Sequence, residues 1–263
     1  MTTTRRRYVD VPFGQVHVAE AGDGPPVVLL HQTPRSWDEF AEVLPLLGAR
    51  GRRAIAVDLP GMGASDPHPE GATIEAYATG VIAALDGLDI TTFDLVGHHT
   101  GGVVAVEVAS TVPGRVRTLV LSSTPYVDAA ARQRRRGRPA IDAVEPTEGG
   151  HHLTELWQRR QGFYPTGRPE LLTRFVTDAL RVVDPEAGHQ AVGSYEMERR
   201  LPLVMARPVI VVHADDPHAS PDAEPLAAAL GGCQQVVIEG GMVPLEHTAT
   251  EFAGVVGAIL DRA

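Results

Sequence analysis

Hydrophobic and polar residues alternate near the start of the chain and then give way to short continuous apolar runs. Residues 8–11 and 16–19 alternate on either side of Phe13-Gly14, which predicts a β-hairpin with one exposed face. The later runs predict strands buried on both faces of a parallel sheet. They span residues 25–30, 54–58, 93–97, 117–122, 208–213 and 235–239.

Amphipathic stretches separate these runs. Ser36 is a suitable N-cap for a helix through Leu47, and further helices are predicted at about 74–88, 103–112 and 252–260. Strands that alternate with helices predict an α/β fold. We expect a doubly wound, mostly parallel sheet with helices on both faces.

Residues 125–200 have a different pattern from the rest of the chain. Strand-like runs are absent, and apolar residues recur at helical spacing, as in Leu171, Leu172 and Phe175. We predict that this segment is a helical cap, inserted after the sixth strand and lying over one end of the sheet. The core of the fold then consists of residues 1–124 and 201–263.

The stretch 93–102 runs from a strand-like segment through a turn of small residues into a helix. Its spacing Gly97-x-His99-x-Gly101 is that of a nucleophile elbow, a sharp strand-to-helix turn that holds its central side chain at the strand tip in a strained backbone conformation. The residue expected at the tip is Ser, or sometimes Cys or Asp. Here it is His99, and the function must be argued through that substitution.

Composition and charge narrow the class of protein. The 263 residues are 43% hydrophobic and 21% charged, as is ordinary for one globular domain, and a net charge of −10 argues against a nucleic-acid partner. A basic cluster at 132–138 is interpreted as a solvated face or loop. The single cysteine, Cys233, excludes an internal disulfide.

The chain also carries no pattern of a targeting or membrane-spanning segment. Residues 1–7 contain arginines but no apolar core of a secretion signal, and no stretch is long and apolar enough to cross a bilayer. We therefore expect a cytoplasmic protein with no membrane partner.

Four motifs, in order along the chain, make it resemble the α/β-hydrolase superfamily, in the branch with a helical cap after the sixth strand. They are the strand end at 29–31, a loop close to Asp-x-x-Gly-x-Gly-x-Ser at 58–65, the elbow at 97–101, and the acid-bearing turn at 212–217. The resemblance implies that Asp216 is the catalytic acid, with Asp215 as the alternative.

Three positions depart from the pattern of that superfamily. The elbow has His99 in place of Ser, and the first loop has Gln32 in place of Gly. After the last strand, either Met242 replaces the expected catalytic His or that His is deleted. His247 lies a few residues further on, near the start of the last helix, where it does not simply replace the missing base. A mechanism through an acyl-serine is therefore set aside.

His99 is itself a suitable acid–base group. At a helix N-terminus the partial positive charge of the helix favours the neutral imidazole, which is available as a base. Asp216 would hold His99, directly or through water, or bind a substrate cation. The resemblance further implies an oxyanion hole made of the backbone N–H groups of Thr33 and Thr100.

Other residues are candidates for contact with a substrate because they lie in the loops or in the predicted cap. Arg35 would suit a carboxylate or phosphate, and His218 is a candidate for a displaced base. No Gly-x-Gly-x-x-Gly follows the first strand and the adjacent histidine pairs lack metal-binding spacing, so we expect neither cofactor nor metal. The substrate-binding candidates are His31, Gln32, Arg35, Trp157, Tyr195, His218 and Met242.

The leading hypothesis is a cofactor-independent enzyme that acts on a small organic substrate with a carbonyl or ester-like group. His99 would act as general acid or base in a lyase, isomerase, cyclase or water-activating hydrolase reaction. The alternative is a small-ligand receptor on a catalytically retired hydrolase scaffold. A third hypothesis is covalent catalysis through an acyl- or phospho-imidazole on His99.

Overall fold

A single eight-stranded sheet forms the centre of the protein. The structure, a computed structural model, describes residues 2–213, 215–241 and 243–262. The sheet order is β1-β2-β4-β3-β5-β6-β7-β8, with antiparallel pairing at β1–β2 and β2–β4 and parallel pairing elsewhere. This confirms the predicted α/β fold class. The strands are β1 Arg5–Val11, β2 Gly14–Ala21, β3 Pro26–Leu30, β4 Arg53–Val57, β5 Phe93–His98, β6 Val116–Ser122, β7 Arg207–His213 and β8 Gln234–Ile238.

Eleven α-helices in the described residues connect or cover these strands. They are α1 Val43–Gly48, α2 Ile74–Gly87, α3 Thr100–Thr111, α4 Ala129–Arg135, α5 His151–Arg160, α6 Pro169–Ala179, α7 Ala187–Ser194, α8 Met197–Arg200, α9 Ala223–Ala229, α10 Pro244–His247 and α11 Ala249–Leu260. Among the described residues, none of these helices has the length and apolar character needed to cross a membrane.

The helix predicted from Ser36 to Leu47 is divided in two, so that expectation of one continuous helix was wrong. A short 3-10 helix, Trp37–Phe40, precedes α1, and the Ser36 side chain accepts from the Asp38 N–H. Pro45 gives the physical reason. It lies in the first turn of α1, where its missing N–H costs nothing; in one continuous helix it would remove a hydrogen bond.

Side chains of the parallel strands alternate between two apolar cores, one on each face of the sheet. In β3, Val28 and Leu30 pack with α2 and α3, whereas Val27 and Leu29 pack with α1 and α11. All four side chains are fully buried. This double burial is why these strands are continuous apolar runs in the sequence.

Helices α4 to α8 lie between β6 and β7 and fall within residues 125–200, called here the 125–200 segment. The segment has a small apolar cluster of its own, formed by Leu156, Leu172, Phe175 and Ala179. The division of the chain into core and cap domains stays a prediction.

The parallel pairing of β3, β5, β6 and β7 brings the carboxyl ends of four strands to one edge of the sheet. The loop 31–36 follows β3, His99 follows β5, Ser123 follows β6, and Asp216 lies three residues after β7. Open parallel sheets bind ligands at this edge, so these loops define the region of the candidate site.

Candidate active site

The turn from β5 into α3 has the geometry of an elbow. His99 has φ 46° and ψ −114°, a backbone conformation that L-residues seldom adopt. The flanking glycines permit close approach: a Cβ on Gly97 would lie 2.2 Å from the Gly101 oxygen, and one on Gly101 would lie 2.0 Å from the Leu30 oxygen. The local sequence thus produces the turn expected from its spacing.

The His99 side chain meets the carboxylate of Asp216. Nε2 of His99 lies 2.8 Å from Oδ2 of Asp216, within ion-pair distance but without the alignment of a good hydrogen bond. Oδ1 of Asp216 accepts from the backbone N–H of His218 at 2.9 Å. Asp215 instead is exposed and accepts from the Gly241 N–H at 2.8 Å. Of the two acids considered from the sequence, the structure brings Asp216 to His99.

The environment of Asp216 stabilises its charged form. Burial alone would raise the pKa of this carboxyl, but the His99 ring, the His218 N–H and the Ser123 hydroxyl outweigh it. The net effect holds the pKa of Asp216 well below its usual range. Asp216 is therefore an ionised partner for His99 throughout the neutral pH range.

A chain of buried polar side chains lies beneath the elbow. Nδ1 of His98 lies 2.9 Å from the Ser122 hydroxyl, which lies 2.9 Å from Nε2 of His213. The His98 ring meets the edge of the His99 ring, with centroids 4.6 Å apart. Burial, followed by the nearby His99, lowers the pKa of His213 to about 4. The lowered pKa keeps His213 neutral at neutral pH beneath the elbow.

A cavity of about 400 Å³ opens over His99, between the sheet edge and the 125–200 segment. This size is ordinary for a small-molecule site. Among its described lining residues there is no Asp or Glu. The lining consists of Gln32, Thr33, His99, Thr100, Pro125, Arg135, Arg138, Pro139, Ile141, Arg159, Arg160, Phe163, His189, Val192 and His218.

Thr33 and Thr100 line this cavity together with His99. Thr100 is the first residue of α3, where a backbone N–H has no partner within the helix. Helix α7 packs tightly on Thr33, because a Cβ on Gly188 would lie 2.1 Å from the Thr33 hydroxyl oxygen. Both threonines therefore lie in the cavity wall beside His99, the position expected for them from the sequence.

A sequence model of the family described as alpha/beta hydrolase fold matches residues 25–240, most of the chain. The chain belongs to the α/β hydrolase fold family. Relatives in sequence include bifunctional epoxide hydrolase 2 of Sus scrofa, which is 35% identical over 121 residues, 44% of this chain and 21% of that protein. 2-Hydroxy-6-oxo-2,4-heptadienoate hydrolase of Pseudomonas putida is 35% identical over 111 residues, 41% of this chain and 40% of that protein. The alignments thus span less than half the length of these relatives.

Solved structures share the fold over nearly the whole chain. The enol-lactonase from Burkholderia xenovorans LB400 superposes with a TM-score of 0.76 at 20% identity, covering 97% of this chain and 100% of that one. A hydrolase from Pseudomonas aeruginosa PA01 gives a TM-score of 0.80 at 21% identity, covering 97% and 98%. At these identities the likeness shows the α/β hydrolase fold alone.

Two candidates from the first loop of this α/β hydrolase fold do not line the cavity. His31 is buried: its Nε2 accepts from the Leu59 N–H at 3.0 Å, and its Nδ1 lies 2.8 Å from the Gln32 oxygen. Arg35, expected as an anion ligand, is fully buried and pairs with Asp178 at 2.9 Å and Glu246 at 2.8 Å. Both side chains hold loops in place instead of facing the cavity.

The remaining candidates divide in the same way. Gln32 and His218 line the cavity. Gln32 is held by Glu39, which accepts from its backbone N–H at 2.9 Å and its side-chain amide at 2.5 Å. Trp157 packs in the apolar cluster of the 125–200 segment, and the Tyr195 hydroxyl donates to Glu107 at 2.7 Å. Met242 lies outside the described residues.

The basic wall of the cavity was hardly predictable from the sequence. Arg135 and Arg138 belong to the cluster interpreted as a solvated face or loop; both line the cavity, Arg135 half-buried and Arg138 exposed. His189 was not singled out at all, and its Nε2 lies 2.7 Å from Asp142, which also holds Arg160. The only signal for this wall in the sequence is the arginine cluster itself. It does not indicate which arginines line the cavity, because the register of the helix is not known from the sequence.

Proposed function

We propose that the protein is a cofactor-independent enzyme that uses His99 as general acid and base on a small organic substrate with a carbonyl or ester-like group. The observation that carries this proposal is the contact of 2.8 Å between His99 Nε2 and Asp216 Oδ2 at the floor of the cavity. A buried carboxylate that orients one imidazole nitrogen leaves the other nitrogen for a bound molecule.

Each residue then has a defined task. Ionised Asp216 favours the tautomer with the proton on Nε2, and Nδ1 of His99 accepts a proton from the substrate or from water. The Asp216 charge then stabilises the imidazolium that forms. The backbone N–H groups of Thr33 and Thr100 would stabilise an oxyanion or enolate, which requires no particular side chain.

Hydrolysis is the first reaction to test, because the relatives in sequence carry the names of hydrolases. In this reaction Nδ1 takes a proton from water as the hydroxide adds to the carbonyl carbon. The resulting oxyanion collapses, the bond to the leaving oxygen breaks, and the imidazolium returns its proton to that oxygen.

Isomerase, lyase or cyclase reactions would also begin with a proton transfer to Nδ1 of His99, in these cases from a carbon acid of the substrate. The 125–200 segment would act as the cap that shields the reaction from water.

The test compares wild type with His99→Gln and Asp216→Asn on a panel of aryl esters and enol lactones. Removing a general base costs about 10²- to 10⁴-fold in rate, so both variants should lose kcat by that order. Asp216→Asn keeps Oδ1 for the His218 N–H, so circular dichroism should report an intact fold. A serine-directed phosphonate should not label the elbow; labelling there would contradict the proposal.

The second candidate function is a small-ligand receptor on a retired hydrolase scaffold. It is favoured by one specific observation, that the expected catalytic His after the last strand is missing, either replaced by Met242 or deleted. A ligand that binds equally well to wild type and His99→Gln, with no turnover of it by either, would support the receptor and exclude the enzyme for that ligand.

A further inference from the structure

The charge of the cavity is opposite to that of the whole chain. The protein has a net charge of −10, yet four arginines line the cavity over His99. No Asp or Glu is found among the described lining residues. Low-dielectric walls of one charge sign concentrate ligands of the opposite sign.

The four arginines are not equivalent. Arg159 pairs with Glu155, and Arg160 pairs with the buried Asp142. Arg135 and Arg138 have no carboxylate within ion-pair distance in the described part of the chain. Arg135 is the more telling of the two, because its side chain is half-buried while Arg138 is exposed. A half-buried guanidinium without a counter-ion is costly unless a ligand supplies the charge.

Helix α4 is anchored with Arg135 in the wall of the cavity. Asp128 caps the helix by accepting from the Ala131 N–H at 2.7 Å. Arg132 binds Glu198 with two hydrogen bonds, of 2.7 and 2.6 Å, which fix one face of α4 against α8. Burial also lowers the pKa of Arg135, with Arg138 and Arg134 acting in the same direction against Asp222. An anion bound here would relieve that unfavourable environment.

We propose that the substrate is a small organic anion whose carboxylate or phosphate group is bound by Arg135 and Arg138, while its reacting group lies at His99. This inference rests on the proposed function for the role of His99 and adds the substrate class. Arginine suits either oxyanion, because its planar guanidinium donates two parallel hydrogen bonds. The sequence predicted an anion-binding role for Arg35; the proposal assigns that role to Arg135 instead.

The test measures binding without turnover, by calorimetry on the full chain. The probes are benzoate and phenyl phosphate, with benzamide as the neutral counterpart and benzylammonium as the cationic one. We expect at least one anion to bind, with affinity that falls as salt is added, and the neutral and cationic probes to bind at least tenfold more weakly. Preference for benzoate or for phenyl phosphate identifies which oxyanion the site takes.

Matched variants locate the contact. Arg135→Gln should weaken anion binding at least tenfold, and Arg135→Lys should weaken it less. Arg134→Gln removes the same charge from the same helix at an exposed position that does not line the cavity, so it should bind as wild type. Equal losses in Arg134→Gln and Arg135→Gln, equal binding of benzamide and benzoate, or no binding of either anion would overturn the proposal.

His99→Ala separates this inference from the proposed function. It should retain anion binding, because the anion contacts the arginines. If anions bind as predicted but no substrate is ever turned over, the proposed catalysis fails and the anion site stands.

Discussion

At the scale of single residues, Gly97, Gly101 and Gly102 set how closely the elbow packs on the strands around it. Gly101 is the most constrained, because its missing Cβ would lie 2.0 Å from a backbone oxygen, that of Leu30. At Gly102 the nearest atom, 1.9 Å away, belongs to the Thr124 side chain, which has more freedom to move. The elbow therefore depends on Gly101 for packing, independently of any catalytic role.

Gly101→Ala should destabilise the protein by more than about 2 kcal/mol, since backbone atoms must shift to admit the methyl group. Urea unfolding monitored by circular dichroism measures this. The matched control is Gly114→Ala, where nothing lies within 4 Å of the added Cβ. The control should change stability by less than about 1 kcal/mol. Equal stabilities of the two variants would show that the strand–helix approach is looser than described.

Spacing within a few residues was enough to predict the elbow, but contacts distant in sequence were not predictable. The Gly97-x-His99-x-Gly101 pattern is local, and the strained His99 follows from it. Arg35, by contrast, pairs with Asp178, 143 residues away, and with Glu246, 211 residues away. No local pattern encodes those partners, so the sequence alone left Arg35 as a candidate for ligand contact.

At the scale of secondary-structure elements, the Arg35 side chain joins three separate parts of the fold. It lies in the loop after β3 and binds Asp178 of α6 and Glu246 of α10. Arg174, also on α6, adds contacts to Asp38 and Glu42 near the same loop. Burial raises the pKa of Glu246, while Arg35 acts against that rise. This buried ionic network fixes the 125–200 segment to the sheet edge.

Arg35→Met should therefore cost about 3–5 kcal/mol, because it leaves two carboxylates buried without their cation. Adding Glu246→Gln to this variant removes one of those charges and should recover part of the loss. Chemical denaturation of the single and double variants measures both effects. Arg199→Met is the control: Arg199 is exposed and pairs with Glu196, so its loss should cost less than about 1 kcal/mol. A neutral Arg35→Met would show that the network contributes nothing.

The helices of the 125–200 segment were predictable from periodicity, but their orientation was not. Spacing of Leu171, Leu172 and Phe175 indicates a helix and its apolar face. It does not indicate which helix meets the cavity, and that is decided by packing such as Gly188 of α7 against Thr33. For this reason the sequence does not identify Arg135 and His189 as cavity residues, whereas the structure does. Trp157 and Tyr195, expected to contact substrate, pack within the fold instead.

At the scale of the whole molecule, buried histidines make folding stability sensitive to acid. Burial is the largest cause of a lowered pKa at the fully buried His31 and His213. For each, the folded state binds a proton less readily than the unfolded chain. Stability therefore rises with pH through this range and falls as the pH drops below the ordinary histidine value of 6.5.

His213 should provide much of this effect, since its pKa falls to about 4 from an ordinary value of 6.5. Its contribution should be fully present above about pH 7 and decline by about 2 kcal/mol by about pH 5, because only the unfolded chain gains the proton there. The readout is the urea midpoint of wild type and His213→Gln between about pH 5 and pH 8. Asp216 does not contribute to the change in stability between about pH 5 and pH 8, because its lowered pKa places its own loss of stability at more acidic pH.

His213→Gln should have a flatter pH profile than wild type even if it is less stable at neutral pH. The control is His247→Gln, at an exposed position, which should keep the wild-type slope. Parallel profiles for wild type and His213→Gln would mean that His213 binds a proton in the folded state as readily as in the unfolded chain, and the lowered pKa inferred for His213 beneath the elbow would then be wrong.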